Sequence, residues 1–179
     1  MRVMRFFFVF LGWGLSVLSC SQQEVEMDVD KGGITGLWKT RDQYSEKPRG
    51  LVVIYEYQGR YYGRMLATYD ENEKIQDSIV DPKDKAPGVI GNPPYCGMDF
   101  IYNVQPTRKG RDEGKILDPL HGKVYDVELW RRGINLVVRG KIWIFGKNII
   151  WSRASISDLP SGFSMSEVSD FVPVIPQSS

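Results

Sequence analysis

The stretch Lys123-Val-Tyr-Asp-Val-Glu-Leu-Trp130, followed by Arg131-Arg132-Gly133 and Ile134-Asn-Leu-Val-Val-Arg139, alternates apolar and polar residues on both sides of a short turn. A period of two is the side-chain alternation of a β-strand, so Tyr125, Val127 and Leu129 share one face and Asp126 and Glu128 take the other. Ile134, Leu136 and Val138 repeat the pattern on the partner strand. Working outward, Lys141 to Phe145 and Ile149 to Arg153 flank the turn Gly146-Lys147-Asn148. Upstream lie Thr35 to Thr40, Leu51 to Tyr57 and Tyr61 to Tyr69, the last two joined by Gln58-Gly59-Arg60. Helical periodicity reaches no further than a candidate turn in the polar stretch Asp70 to Lys85. Sequential strands with brief turns and no crossover helices exclude a parallel sheet and leave a closed barrel or a sandwich; closure removes exposed edges.

The chain starts with Met1-Arg-Val-Met-Arg5, an apolar run from Phe6 to Leu18, and Ser19-Cys20-Ser21. The run is shorter than the roughly 20 residues of a spanning helix and fits the h-region of a signal. The layout is that of a bacterial lipoprotein signal over residues 1–19, with lipidation at Cys20, although Leu18 is bulkier than the usual residue there. An ordinary secretory signal is the other reading. Several acyl chains on Cys20 would make a permanent tether. Residues 20–33 carry Glu24, Glu26, Asp28 and Asp30 and read as an acidic flexible tether. Residues 34–154 form the expected single domain, about 120 residues, enough for one modest core. Residues 155–179 hold Pro160, Pro173 and Pro176 among serines and acids and read as a loosely packed extension, with Phe163, Met165, Phe171 and Val172 available to dock part of it.

Charge narrows the partners. Loss of Arg2 and Arg5 with the signal lowers the 23 basic residues to 21, against 22 acidic ones. A near-neutral chain without a basic face is no nucleic-acid binder. The expected location is a bacterial membrane, the outer one facing the periplasm being favoured by Ser21, with soluble secretion as the alternative.

Gly36-Leu-Trp38, Tyr62-Gly63-Arg64, Cys96-Gly97-Met98, the run Gly114-Lys-Ile-Leu-Asp-Pro-Leu-His-Gly-Lys-Val-Tyr125, Val138-Arg139-Gly140 and Trp151-Ser-Arg153 together resemble the bacterial family of exported proteins called DUF2147, from about Ile34 to Arg153. Asp118, Pro119, Gly122, Lys123 and Tyr125 form the distinctive core of that resemblance, which brings no activity with it. The chain departs from the family's pattern in its lipobox-like signal, its acidic tether and its tail after Arg153, and His121 occupies a position the resemblance implies to be variable. Gly36, Trp38 and Arg153 are similar, more loosely, to the Gly-x-Trp and late arginine of lipocalins and fatty-acid-binding proteins. That likeness implies an up-and-down calycin-like barrel in which Arg153 lies over Trp38 and joins first strand to last. Cation–π attraction supplies about 0.5–2 kcal/mol for such a pair. An ordinary core tryptophan with an exposed arginine is the competing reading.

Chemistry-bearing residues are few. Asp118-Pro-Leu-His-Gly122 is turn chemistry, with Asp118 accepting from downstream amides and Gly122 left-handed. Alternatively, Asp118 and His121 are ligand or metal contacts, or an acid/base pair. His121 is the only histidine, which excludes a histidine-rich zinc site. Cys96 is left without a disulfide partner once Cys20 is lipidated; it is either buried and inert or a nucleophile recruiting His121. Asp70-Glu71 and Asp112-Glu113 read as solvated loop charges. No nucleophile elbow, metalloprotease helix, phosphate loop or dinucleotide fingerprint occurs, so no catalytic residues, metal or cofactor are expected. Bulky inward aromatics favour a filled barrel. Outward ones, such as Trp130 and also Trp143 and Phe145, suggest a surface for an envelope protein or a second copy. The expected function is a non-enzymatic binding or interaction module for a small apolar or amphipathic ligand or a partner protein. An envelope hydrolase using His121 with Asp118 or Cys96 is the alternative.

Overall fold

The computed structural model describes residues 33–42, 45, 47–108, 110–142 and 145–178. The signal, Cys20, the tether before Gly33 and Trp143 lie outside them. Among the described residues nine strands follow one another: β1 (Gly36–Arg41), β2 (Pro48–Tyr57), β3 (Arg60–Tyr69), β4 (Ile75–Ser78), β5 (Asp99–Gln105), β6 (Asp112–Asp118), β7 (Lys123–Arg132), β8 (Asn135–Ile142) and β9 (Phe145–Arg153). They are ordered β2-β1-β9-β8-β7-β6-β5-β3-β4, and β2 pairs again with β3. Eight antiparallel strands therefore close into a barrel, with β4 appended beside β3. The barrel, rather than the sandwich, is the solution this meander adopts.

Turn chemistry sets the register. Gln58 and Gly59 both have positive φ, the type I′ signature, and hold Tyr57 opposite Arg60. The β7–β8 turn is Gly133-Ile134, one residue later than expected, because Arg132 pairs with Asn135. Ile134 is consequently 74% exposed instead of sharing a face with Leu136 and Val138. Gly146-Lys147-Asn148 is strand, not turn: these residues pair with Lys141, Gly140 and Arg139, and β8 and β9 are each one long strand. The polar stretch after Asp70 forms β4 on β3 rather than a helical turn. Asp112-Glu113 begins β6 rather than a loop.

The wall of the barrel carries apolar side chains on both sides. Trp38, Val52, Ile54, Met65, Ile101, Val104, Val127, Leu129, Leu136, Val138 and Trp151 form the inner cluster. Leu37, Leu51, Val53, Tyr55, Tyr62, Leu66 and Ala67 form a second cluster. Because Leu51, Val53 and Tyr55 alternate along β2 with Val52 and Ile54, this second cluster belongs to the outer face of β1–β3. Its cover is the C-terminal segment. Two 3-10 turns, Ile156–Asp158 and Met165–Asp170, bring Leu159, Phe163, Met165, Val168 and Phe171 onto it. Lys39 Nζ clamps Asp158 Oδ1 at 2.6 Å. The extension expected to pack loosely is thus the lid of a hydrophobic layer, since β1–β3 have too much apolar surface outside to leave wet.

Candidate functional site

The junction of first and last strands is built around Trp38. Its ring has no exposed surface, and its Nε1 donates to Ile34 O at 2.9 Å. Trp38 pairs with Arg153 across β1 and β9, and the Arg153 guanidinium lies 4.9 Å from its ring centroid while donating to Thr35 O at 3.0 Å. Gly36, at φ +124, leaves the space: a Cβ there would stand 2.5 Å from the guanidinium nitrogens. Sequence reasoning missed Arg131, whose guanidinium is 5.2 Å from the same ring and donates to Gly33 O and Gly133 O. Burial, with Arg131 nearby, pulls the Arg153 pKa below its usual value. These groups tie strands together; the arrangement is structural chemistry.

Asp118 and His121 occupy the β6–β7 turn. Asp118 Oδ1 accepts from the amides of Leu120 (3.0 Å) and His121 (3.3 Å), Oδ2 lies 2.7 Å from His121 Nδ1, and Gly122 has φ +67. Burial works against the Asp118 charge, but the bonds from His121 and the two amides outweigh it and hold the carboxyl below its usual pKa. Pro119 O accepts from Gly88 N at 2.9 Å, fastening the turn to the long loop before β5; a Cβ at position 88 would strike Gly122 N. Lys123 pairs with Asp118 and is exposed; Tyr125, half-buried, pairs with Ile116. The family-core residues therefore converge on one turn and its docking.

Cys96 is buried at 3% exposure. Burial and its neighbour Asp77, which accepts its hydrogen bond, push the thiol pKa far up. Asp77 itself is buried and accepts from the amides of Ser78, Lys83 and Asp84 at 2.9, 2.8 and 3.2 Å, shaping the loop that follows β4. The structure thus gives Cys96 to Asp77 and His121 to Asp118. Alkylation by iodoacetamide at pH 8 is expected to leave Cys96 unmodified in the folded domain and to reach it only in denaturant, because the thiolate is the nucleophile. Modification of folded protein at the rate of a free thiol, read by intact mass, would contradict this placement.

Two charged residues behave differently from the sequence reading. Asp112, expected as a solvated charge, has its pKa raised by burial against the amide bond from Thr107. Glu128 is on the outer face of β7 as alternation requires, yet only 8% exposed, between Lys141 at 2.7 Å and Arg111 at 3.7 Å. Arg111 also covers Trp130 at 4.7 Å.

The most elaborate polar cluster went unread in the sequence. Arg64 on β3 reaches Asp99 on β5 with Nε (3.1 Å) and Nη2 (2.7 Å), and both meet the Tyr55 hydroxyl at 3.1 and 3.0 Å. Asp99 is 0% and Arg64 6% exposed. Burial, then the neighbouring Asp99, pushes the Tyr55 pKa far up. The tail completes it: Arg64 Nη2 donates to Val172 O and Val174 N donates to Asp99 Oδ2. Among the described residues, no three His, Cys, Asp or Glu side chains gather as a metal site.

Three comparisons bear on these features. Residues 36–153 match the model of a family described as uncharacterized protein conserved in bacteria, DUF2147. Among curated proteins, none matches the sequence. A solved structure of the Helicobacter pylori protein HP1028, described as belonging to the lipocalin family, is similar with a TM-score of 0.58 at 20% identity, covering 77% of this chain and 97% of that one. At that identity the likeness concerns the fold, and it agrees with the closed antiparallel barrel. The match spans the whole barrel, from the glycine of the Trp38 cage to Arg153, and the chain belongs to the DUF2147 family.

Proposed function

We propose that this chain is a bacterial envelope lipoprotein, tethered through Cys20, whose barrel is a non-catalytic interaction module that meets a partner protein with its outer surface. The observation that carries this reading is the packing of the lumen. Trp38, Val52, Ile101, Val104, Leu129 and Leu136 of the inner cluster are each 0% exposed, the close packing of an interior filled by side chains. A barrel that carries a small apolar ligand in its lumen needs hundreds of cubic ångströms there. The hydrolase reading has in its favour the 2.7 Å contact of Asp118 with His121, and against it that Cys96, its candidate nucleophile, hydrogen-bonds Asp77 instead.

Native mass spectrometry of the full chain from mild detergent tests the proposal. The expected species is residues 20–179 plus acyl chains, with Cys20→Ala losing the acyl mass. A stoichiometric small apolar molecule retained by the barrel would overturn the partner-protein reading, and an unmodified Cys20 would overturn the tether.

A further inference from the structure

The last described stretch of the tail, residues 171–178, is held differently from the segment before it. Residues 159–168 cover the outer wall with apolar side chains. From Phe171 onward, main-chain bonds take over. Val172 O accepts from Arg64 Nη2 at 2.7 Å, Val174 N donates to Asp99 Oδ2 at 2.6 Å and Val174 O accepts from Asp99 N at 3.2 Å. Gln177 O accepts from Ile90 N at 2.9 Å, and Ser178 bridges Val89. Meanwhile Val172, Val174 and Ile175 are 61%, 57% and 42% exposed. One side chain anchors the stretch: the Phe171 ring lies 4.1 Å from the Arg64 guanidinium and meets Tyr55 edge-on at 5.4 Å.

Backbone bonds to an extended segment plus a single aromatic in a formed socket is the physics of peptide recognition rather than of a core, where side-chain burial dominates. The socket does not depend on the tail for its residues. Tyr55, Arg64 and Asp99 lie inside the stretch that matches the family, residues 36–153, whereas the tail lies beyond it. The ion pair is also oriented from within the barrel wall, by the Tyr55 hydroxyl and the bidentate Arg64–Asp99 contact. Without a guest, the outward Nη2 position, one Asp99 carboxylate lone pair and the Asp99 amide would face water.

We propose that the groove formed by Tyr55, Arg64, Asp99 and the Val89-Ile90 segment is a peptide-binding site for an extended segment of a partner protein bearing a phenylalanine followed by free main-chain groups, and that residues 171–178 occupy it as a resident competitor. This deepens the interaction-module reading and rests on it for the partner, but the groove itself is tested separately. A tethered occupant acts at millimolar effective concentration, so the intact chain resists a free peptide and a chain with its tail severed does not.

A protease site placed at the exposed Ser169-Asp170, the end of the second 3-10 turn, lets residues 170–179 be cut free after folding while the apolar lid of residues 159–168 stays attached, with far-UV circular dichroism reporting that the barrel stays whole. The probe is a fluorescent synthetic peptide of residues 168–179, read by polarization. Intact chain is expected to bind it weakly, and cut chain about 10²-fold more tightly. Phe171→Ala in the peptide is expected to weaken binding more than about tenfold, while Val172→Ala and Ile175→Ala stay within about twofold, since exposed side chains contribute little. A severed tail that refuses to exchange over hours, equal binding by cut and intact chains, or indifference to Phe171→Ala would each overturn the proposal. Exchange as expected, combined with a small molecule retained in the barrel, would leave the groove standing and remove the interaction-module reading.

Discussion

Arg64→Ala is expected to destabilise the domain by about 3–5 kcal/mol, because it leaves the Asp99 carboxylate buried without its cation. Asp99 has no exposed surface, and its remaining partners are the Tyr55 hydroxyl and the Val174 amide. Those are dipoles, not charges. For a domain of this size the loss corresponds to a fall in Tm on the order of 10 °C. Salt should hardly alter the difference, since a buried pair is little screened. The control is Arg64→Met with Asp99→Asn: removing both charges avoids the orphaned one, so the double variant should melt well above Arg64→Ala even though it lacks the ion pair altogether. A melting curve for Arg64→Ala within about 2 °C of the parent would mean that water reaches the pair and that the tail does not seal it.

How much of this was readable follows from the reach of each interaction. The β7–β8 hairpin was legible because alternation and turn are local; even so, the turn shifted by one residue, and Ile134 moved from core to solvent. Gly146-Lys147-Asn148 looked like a turn by composition, and cross-strand pairing with β8 overrode it. Arg64 lay within a motif that sequence reading did single out, but its partners Asp99 and Val172 are 35 and 108 residues away, beyond any local periodicity. A signal did exist. Leu51-Val-Val-Ile-Tyr55 is a continuous apolar run, the mark of a strand buried on both faces, and in a single barrel the outer face can be buried only by a segment outside the meander. Phe163, Met165, Val168 and Phe171 supply that segment. The proline-rich composition of the tail concealed it, because 3-10 turns and extended chain bury side chains without regular periodicity.

Trp38→Ala should be the most damaging single change at the junction of first and last strands. A fully buried tryptophan replaced by alanine costs about 3–5 kcal/mol through lost transfer energy and the cavity left behind. That is a large share of the roughly 5–15 kcal/mol that holds a typical domain folded. Two further losses follow from the geometry. Ile34 O loses its donor at 2.9 Å, and the guanidiniums of Arg153 and Arg131, at 4.9 and 5.2 Å from the ring, lose the aromatic face that offsets their mutual repulsion. That repulsion already helps pull the Arg153 pKa down, after burial. Both arginines are half-buried rather than sealed, so added salt reaches them. Urea unfolding of Trp38→Ala should therefore show a deficit that shrinks in high salt, whereas Trp38→Phe, which keeps a ring but not the N–H, should fall between alanine and the parent. A salt-independent deficit would assign the whole cost to the cavity and leave the two arginines without a part in closing the barrel. A deficit below about 1 kcal/mol would be a stronger refutation, because Trp38 pairs with Val52 on one side and Arg153 on the other and its ring sits in the inner core cluster at the junction of first and last strands.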